Sequence, residues 1–132
     1  MTFGTFDLVH PWHIFFLQQA KNYGDRLVTI VARDNNVMKF KWRTPMKKEQ
    51  ERLTDIQELY IADIVELGHE NDYFSAIEKY RPEVIAIGHD QIHLIYELGE
   101  FLFKHKYKTE IVTIEWFEID KYKSSIIRKG LN

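Results

Sequence analysis

The chain contains no cysteine. Disulfides, thiolate zinc sites, iron–sulfur clusters and a thiol nucleophile are therefore excluded. No apolar run approaches the ~18 residues of a membrane-spanning helix. Residues 1–20 lack the basic start and apolar core of a secretory signal. A soluble cytoplasmic protein with no membrane partner is the expectation. An excess of one charge sign is missing too. The 18 Lys and Arg face 20 Asp and Glu, for a formal net charge of −2, which argues against a chain that coats nucleic acid by charge. Neither GxGxxG nor GxxxxGK[ST] occurs, so the dinucleotide fingerprint and the Walker loop are both absent. No repeat, low-complexity segment or linker interrupts the chain.

What is present points to one domain over residues 1–132. The composition is 45% hydrophobic and 14% aromatic, enough for a core rather than a disordered chain. Met1–Phe3 reads as the end of a short strand. Pro11 to Tyr23 reads as a helix, with Pro11 in its first turn and Gly24 as its cap. Leu27–Ala32 is an unbroken apolar run of strand length, the pattern of a strand buried on both faces. Arg33 to Pro45 reads as a polar, basic connection. Lys47 to Tyr60 reads as a helix with Leu53, Ile56, Leu59 and Tyr60 along one face. Strands are expected over Asp63–Leu67, Val84–Gly88 and Ile111–Ile114. Helices are expected over Asp72–Tyr80, from Ile92 to about Lys106, and over Ser125–Lys129 with Ser124 as its cap. Alternating strands and helices predict a Rossmann-like α/β/α sandwich on a five-stranded parallel sheet. Ligands in such folds lie beyond the carboxyl ends of the strands.

The first strand-to-helix loop is Gly4-Thr5-Phe6-Asp7-Leu8-Val9-His10-Pro11-Trp12-His13. It ends at a helix amino terminus, where free N–H groups suit a phosphate. Gly4 permits close backbone approach. His10 and His13 are spaced to point the same way over the helix start, and imidazoles can serve phosphoryl chemistry. A purely structural pair remains open. So does a pair of metal ligands, although a metal needs a third group and Asp7 alone is near in sequence.

Gly4-Thr5-Phe6-Asp7 with His10-Pro11-Trp12-His13 resembles the GTFD…HxGH signature of the cytidylyltransferase-like nucleotidyltransferases, of HIGH-superfamily type. The resemblance extends through Ala32-Arg33-Asp34, Glu51-Arg52-Leu53, Gly88-His89-Asp90-Gln91 and Lys121 to Arg128. The last two segments are most similar to archaeal FAD synthetases, with the glycerol-3-phosphate cytidylyltransferases next. The resemblance implies transfer of AMP from ATP to FMN with release of pyrophosphate. Cytidylyl transfer from CTP to an alcohol phosphate is the alternative. It implies that His10 and His13 contact the triphosphate, with Lys47 (or Lys48) and Arg52 aiding catalysis on the phosphates. It further implies nucleotide contacts from Gly4, Thr5, Phe6, Pro11, Trp12, Gly88, Asp90, Gln91, Tyr122, Ser124, Ser125 and Arg128. Mg²⁺ held mainly by the phosphates, no dedicated metal ligands and a homodimer go with it. One position departs: Trp12 stands where the motif has glycine. Its indole turns away, stacks on the base, or fills the site and leaves a non-catalytic nucleotide- or flavin-binding relative.

Charge is segregated. Lys39, Lys41, Arg43, Lys47, Lys48 and Arg52 crowd residues 39–52, and residues 53–78 carry acids without a Lys or Arg. The tail is basic again at Lys121, Lys123, Arg128 and Lys129. Solvated helix faces explain such runs. Phosphate binding at the carboxyl edge of the sheet explains them as well. Phe40 and Trp42 within the first basic stretch fit an aromatic flap or an interface. No nucleic-acid partner is expected. His69, His93 and His105 read as solvated or structural, and His89 as a ligand contact or a plain loop residue. Phe15, Phe16, Phe101 and Phe103 read as core or interface.

Overall fold

The computed structural model describes residues 1–41 and 43–115. In chain order its elements are β1 (Thr2–Gly4), α1 (Pro11–Lys21), β2 (Val28–Val31), α2 (Asp34–Lys41) and α3 (Glu49–Gln57). There follow β3 (Ile64–Leu67), α4 (Ser75–Tyr80), β4 (Val84–Gly88), a 3₁₀ turn (His89–Leu94), α5 (Ile95–His105) and β5 (Glu110–Ile114). These five strands are all parallel, in the order β3-β2-β1-β4-β5.

Both faces of the sheet are covered, as the unbroken apolar strands require. Val31, Ala86 and Ile114 point to one side, into a core shared with Phe16, Leu17 and Ala20 of α1 and Ile56 of α3. Phe3, Ile30, Ile85 and Ile87 point to the other, against Ile77 of α4 and Leu98 and Leu102 of α5. Alternate residues of each strand thus serve opposite cores. At the sheet centre the buried hydroxyls of Thr2 and Thr29 satisfy each other at 2.9 Å. No helix among the described residues is long and apolar enough to cross a membrane.

Four details differ from expectation. Residues 34–41 form α2 rather than a plain connection. Its first residue is held from outside: Glu49 accepts the Asp34 N–H at 2.8 Å, and Asn36 and Val37 are buried. Such tertiary anchoring overrides weak local propensity. α1 ends at Asn22 in a right-handed conformation, so Gly24 is not its cap. α3 stops at Gln57, and Tyr60 lies beyond it with φ 55° and 88% exposed, off the apolar face. The helix expected from Ile92 begins as the 3₁₀ turn, because Gln91 accepts from the Gly88 N–H and donates to the Phe3 carbonyl. The expected helix over Ser125–Lys129 and the residue Trp42 lie outside the described residues.

Candidate active site

The chain runs outward from β1 to β2 and β3, then returns past β1 to form β4 and β5. The crevice between the carboxyl ends of β1 and β4 is therefore the switch point where such sheets bind ligands. The first loop sits there and is tied down along its length. The Gly4 carbonyl accepts from Ala32 N–H at 2.9 Å, and the Thr5 carbonyl accepts from Arg52 Nη1 at 2.8 Å. Asp7 accepts from Met46 N–H at 2.7 Å and from Lys47 N–H at 3.0 Å. Phe6 and Leu8 are left-handed, each with φ 54°. Neither is glycine, so each costs about 1 kcal/mol or more of backbone strain that these ties must offset.

The two histidines cap α1 reciprocally. His10 Nδ1 accepts the Trp12 N–H at 3.0 Å, and His13 Nδ1 accepts the His10 N–H at 3.1 Å. A ring nitrogen that accepts carries no proton, so each neutral imidazole bears its hydrogen on Nε2. The rings lie 4.5 Å apart. Two Nε2–H donors thus stand beside a helix amino terminus, an arrangement suited to phosphate oxygens. Phe6 meets the His13 ring edge-on at 5.6 Å from the core below.

A cleft of about 270 Å³ opens over this loop, lined by Gly4, Thr5, Phe6, Asp7, His10, Trp12, His13, Asp90 and Gln91 among others. Trp12 turns toward the end of β4. Its ring centroid lies 5.2 Å from that of Phe16 and, in an edge-to-face arrangement, 5.7 Å from that of His89. A Cβ on Gly88 would stand 2.7 Å from Trp12 Cζ2 and 2.7 Å from Asp90 Oδ1. Gly88 therefore admits the indole and the carboxylate against bare backbone. A Cβ on Gly4 would meet the Phe6 ring at 2.7 Å, so the close neighbour there is a side chain of the same loop rather than open ligand space.

Some expected site residues lie elsewhere. Arg52 is fully buried and does not line the cleft. Its guanidinium is spent on the carbonyls of Thr5 and Lys47 and on Asp34 at 2.6 Å. Lys47 Nζ is bound to Asp55 at 2.7 Å, a hydrogen bond that raises its pKa above the usual lysine value. Pro11 opens α1 on the surface, whereas Gln91 lines the cleft and also staples β4 to β1. Tyr122, Ser124, Ser125 and Arg128 lie outside the described residues. His69 caps a turn through the N–H groups of Asn71 and Asp72, and His105 stacks on Phe101 at 4.2 Å. The cleft also includes Asn36, Val37, Arg43, Tyr73 and His93, which sequence reasoning did not place there. Only the basic run around Arg43 signalled any of them.

Burial pushes the Asp7 carboxyl upward, but the Met46 and Lys47 N–H groups and the nearby Arg52 and Arg43 charges outweigh it, so its pKa lies below the ordinary carboxylate value. A depressed folded pKa gives stability that is present above the unfolded pKa of about 4 and lost as pH falls through the folded value. Asp7→Asn is expected to lower stability by about 1–2 kcal/mol at neutral pH. In urea melts across pH, the gap between wild type and variant should close on the acid side. A gap that persists there would contradict the role of the carboxylate.

Residues 1–130 match the family model described as Cytidylyltransferase-like. The chain is 48% identical over 112 residues to the FAD synthase of Ferroglobus placidus, covering 84% of this chain and 72% of that one. It is 42% identical over 122 residues to the FAD synthase of Methanocella arvoryzae, covering 92% and 86%. Among solved structures, the lipopolysaccharide core biosynthesis protein from Thermoplasma volcanium superposes with TM-score 0.79 at 36% identity, covering 86% of this chain and 93% of that one. A parallel five-stranded sheet, a histidine-capped first loop at its switch point and these matches together place the chain in the cytidylyltransferase-like family of nucleotidyltransferases.

Proposed function

We propose that this protein transfers AMP from ATP to FMN, forming FAD and pyrophosphate. The carrying observation is the reciprocal cap that aims two Nε2–H donors over the start of α1. The FMN phosphate oxygen attacks the α-phosphorus in line, and the bond to the pyrophosphate oxygen breaks. Negative charge grows on the non-bridging and leaving oxygens, and the histidines donate to them. No enzyme nucleophile takes part, so catalysis is positioning and charge stabilisation. Arg43 on the β2 side of the cleft suits the acceptor phosphate. The lining of the β4 side, Trp12 and Asp90, suits a base and its sugar.

A divalent cation supplies charge neutralisation on the triphosphate when bound. Among the described residues no three His, Asp or Glu groups converge on one point. A phosphate-borne Mg²⁺ belongs to this reading, with Asp90 the exposed carboxylate at the cleft. A cytoplasmic homodimer belongs to the same reading.

The test is pyrophosphate and FAD release from ATP or CTP, with FMN or glycerol 3-phosphate as acceptor. FAD formation from ATP and FMN alone is the expected result. Trp12 enters as a stacking wall, and losing one base–aromatic stack of ~1–3 kcal/mol is about a tenfold effect. Trp12→Gly should therefore raise KM for ATP about tenfold and leave KM for FMN unchanged. An inactive wild type restored by Trp12→Gly would mean that the indole blocks the site.

A further inference from the structure

We infer that Asn36 reads the ring of the acceptor, its carboxamide pairing with an N–H and a neighbouring C=O on the edge of a flat heterocycle. The imide edge of the FMN ring presents that pair of groups. This assignment rests on FMN as the acceptor and names the residue that selects its ring.

Asn36 is 3% exposed, yet it lines the cleft. A polar side chain buried that deeply needs partners for its hydrogen-bonding groups. One partner comes from the protein: Nδ2 donates to the His69 carbonyl at 3.1 Å. A carbonyl only accepts, so this bond also fixes which branch of the carboxamide carries nitrogen. Among the described residues nothing donates to Oδ1, and the second Nδ2 hydrogen has no acceptor. An acceptor and a donor on one carboxamide are thus left over in the wall of the cleft. The tie to His69 holds that amide in place before a ligand arrives, so little side-chain freedom is lost on binding.

The strand order puts Asn36 on the acceptor half of the cleft. The segments after β2 and β3 supply Ala32, Asn36, Val37, Arg43 and Tyr73, beside Phe3 of β1. The segment after β4 supplies Asp90 and Gln91 to the other half. Phe3 and Tyr73 stand with ring centroids 5.5 Å apart, and Ala32 and Val37 are buried aliphatic neighbours. Apolar walls with one placed amide suit a flat ring that must be held in a single orientation. Arg43, exposed on the same half, suits the phosphate at the other end of that molecule. Glycerol 3-phosphate has no ring for these walls and no N–H for Oδ1. Asparagine also pairs with adenine, so the test separates ring from base.

The test compares FMN with N3-methyl-FMN, in which a methyl group replaces the N–H that Oδ1 accepts. Wild type should use the methylated flavin about tenfold to a hundredfold less well by kcat/KM, because a buried acceptor is left unpaired. Asn36→Ala removes the amide and opens space for the methyl group. It should raise KM for FMN about tenfold or more, leave KM for ATP unchanged and bring the two flavins to similar kcat/KM. A purely structural role, through the tie to His69, would instead weaken both flavins alike and keep the preference. The wild-type comparison needs no variant, so it stands even if Asn36→Ala folds poorly. Wild type that forms FAD and uses both flavins equally overturns the inference while the reaction stands. So does a folded variant that keeps the preference, or one in which KM for ATP rises instead, since Asn36 then reads the base. A wild type that forms no FAD overturns the proposed reaction and this assignment with it.

Discussion

Replacing His10 or His13 by alanine should lower kcat for FAD formation by about 10²–10³, the loss seen when one preorganised donor to a developing oxyanion is removed. The histidines cap α1 as well, so alanine mixes two effects. A lost amino-terminal cap costs about 1 kcal/mol. His10→Asn separates them. Asparagine is among the best capping residues, and its Oδ1 can accept the Trp12 N–H that His10 Nδ1 now accepts at 3.0 Å. It has no counterpart to Nε2–H at that reach. The expected result is a melting temperature close to wild type with kcat still down about 10² or more. If His10→Asn kept full turnover, the imidazole would be a cap and nothing further.

Arg52→Met should cost about 3 kcal/mol of folding free energy, at the lower end of the 3–5 kcal/mol for breaking a buried pair. The lower end applies because Asp34, its 2.6 Å partner, keeps 38% side-chain exposure and regains water. The Thr5 and Lys47 carbonyls lose their donor. One carbonyl belongs to the first loop and the other to the segment held by Asp7, so under the proposed reaction the variant should also raise KM for ATP. Arg52→Lys restores charge without the planar fork and should recover part of the stability. Urea titration and steady-state kinetics on the three proteins check this. A loss under 1 kcal/mol would show that the loop is held by its other ties alone.

Much of this architecture is legible without coordinates. Leu27–Ala32 and Val84–Gly88 are apolar on both parities, which only a doubly covered sheet accommodates. Pro11 after a histidine marks a helix start. The loop between β1 and α1 holds both histidines within a dozen consecutive residues, so their pairing survives in one dimension. α2 was not legible, because its stability comes from Glu49 and a buried Asn36 rather than from periodicity. The contacts of Arg52 were not legible for a related reason. Motif likeness marks a residue as important but does not say whether its charge meets a ligand or a backbone carbonyl.

By itself, the sequence determined the order of the five strands, the parallel sheet, the exclusion of thiol chemistry and the histidine pair, because each depends on local spacing or on composition. The tertiary structure alone decided where the Trp12 ring goes, why Gly88 must lack a side chain, and that Lys47 and Arg52 support the loop from outside the cleft. It also decided that Phe103 faces water while Leu102 faces the sheet. Those outcomes depend on which surfaces meet after folding, and a one-residue step around a helix turns a side chain by about 100°.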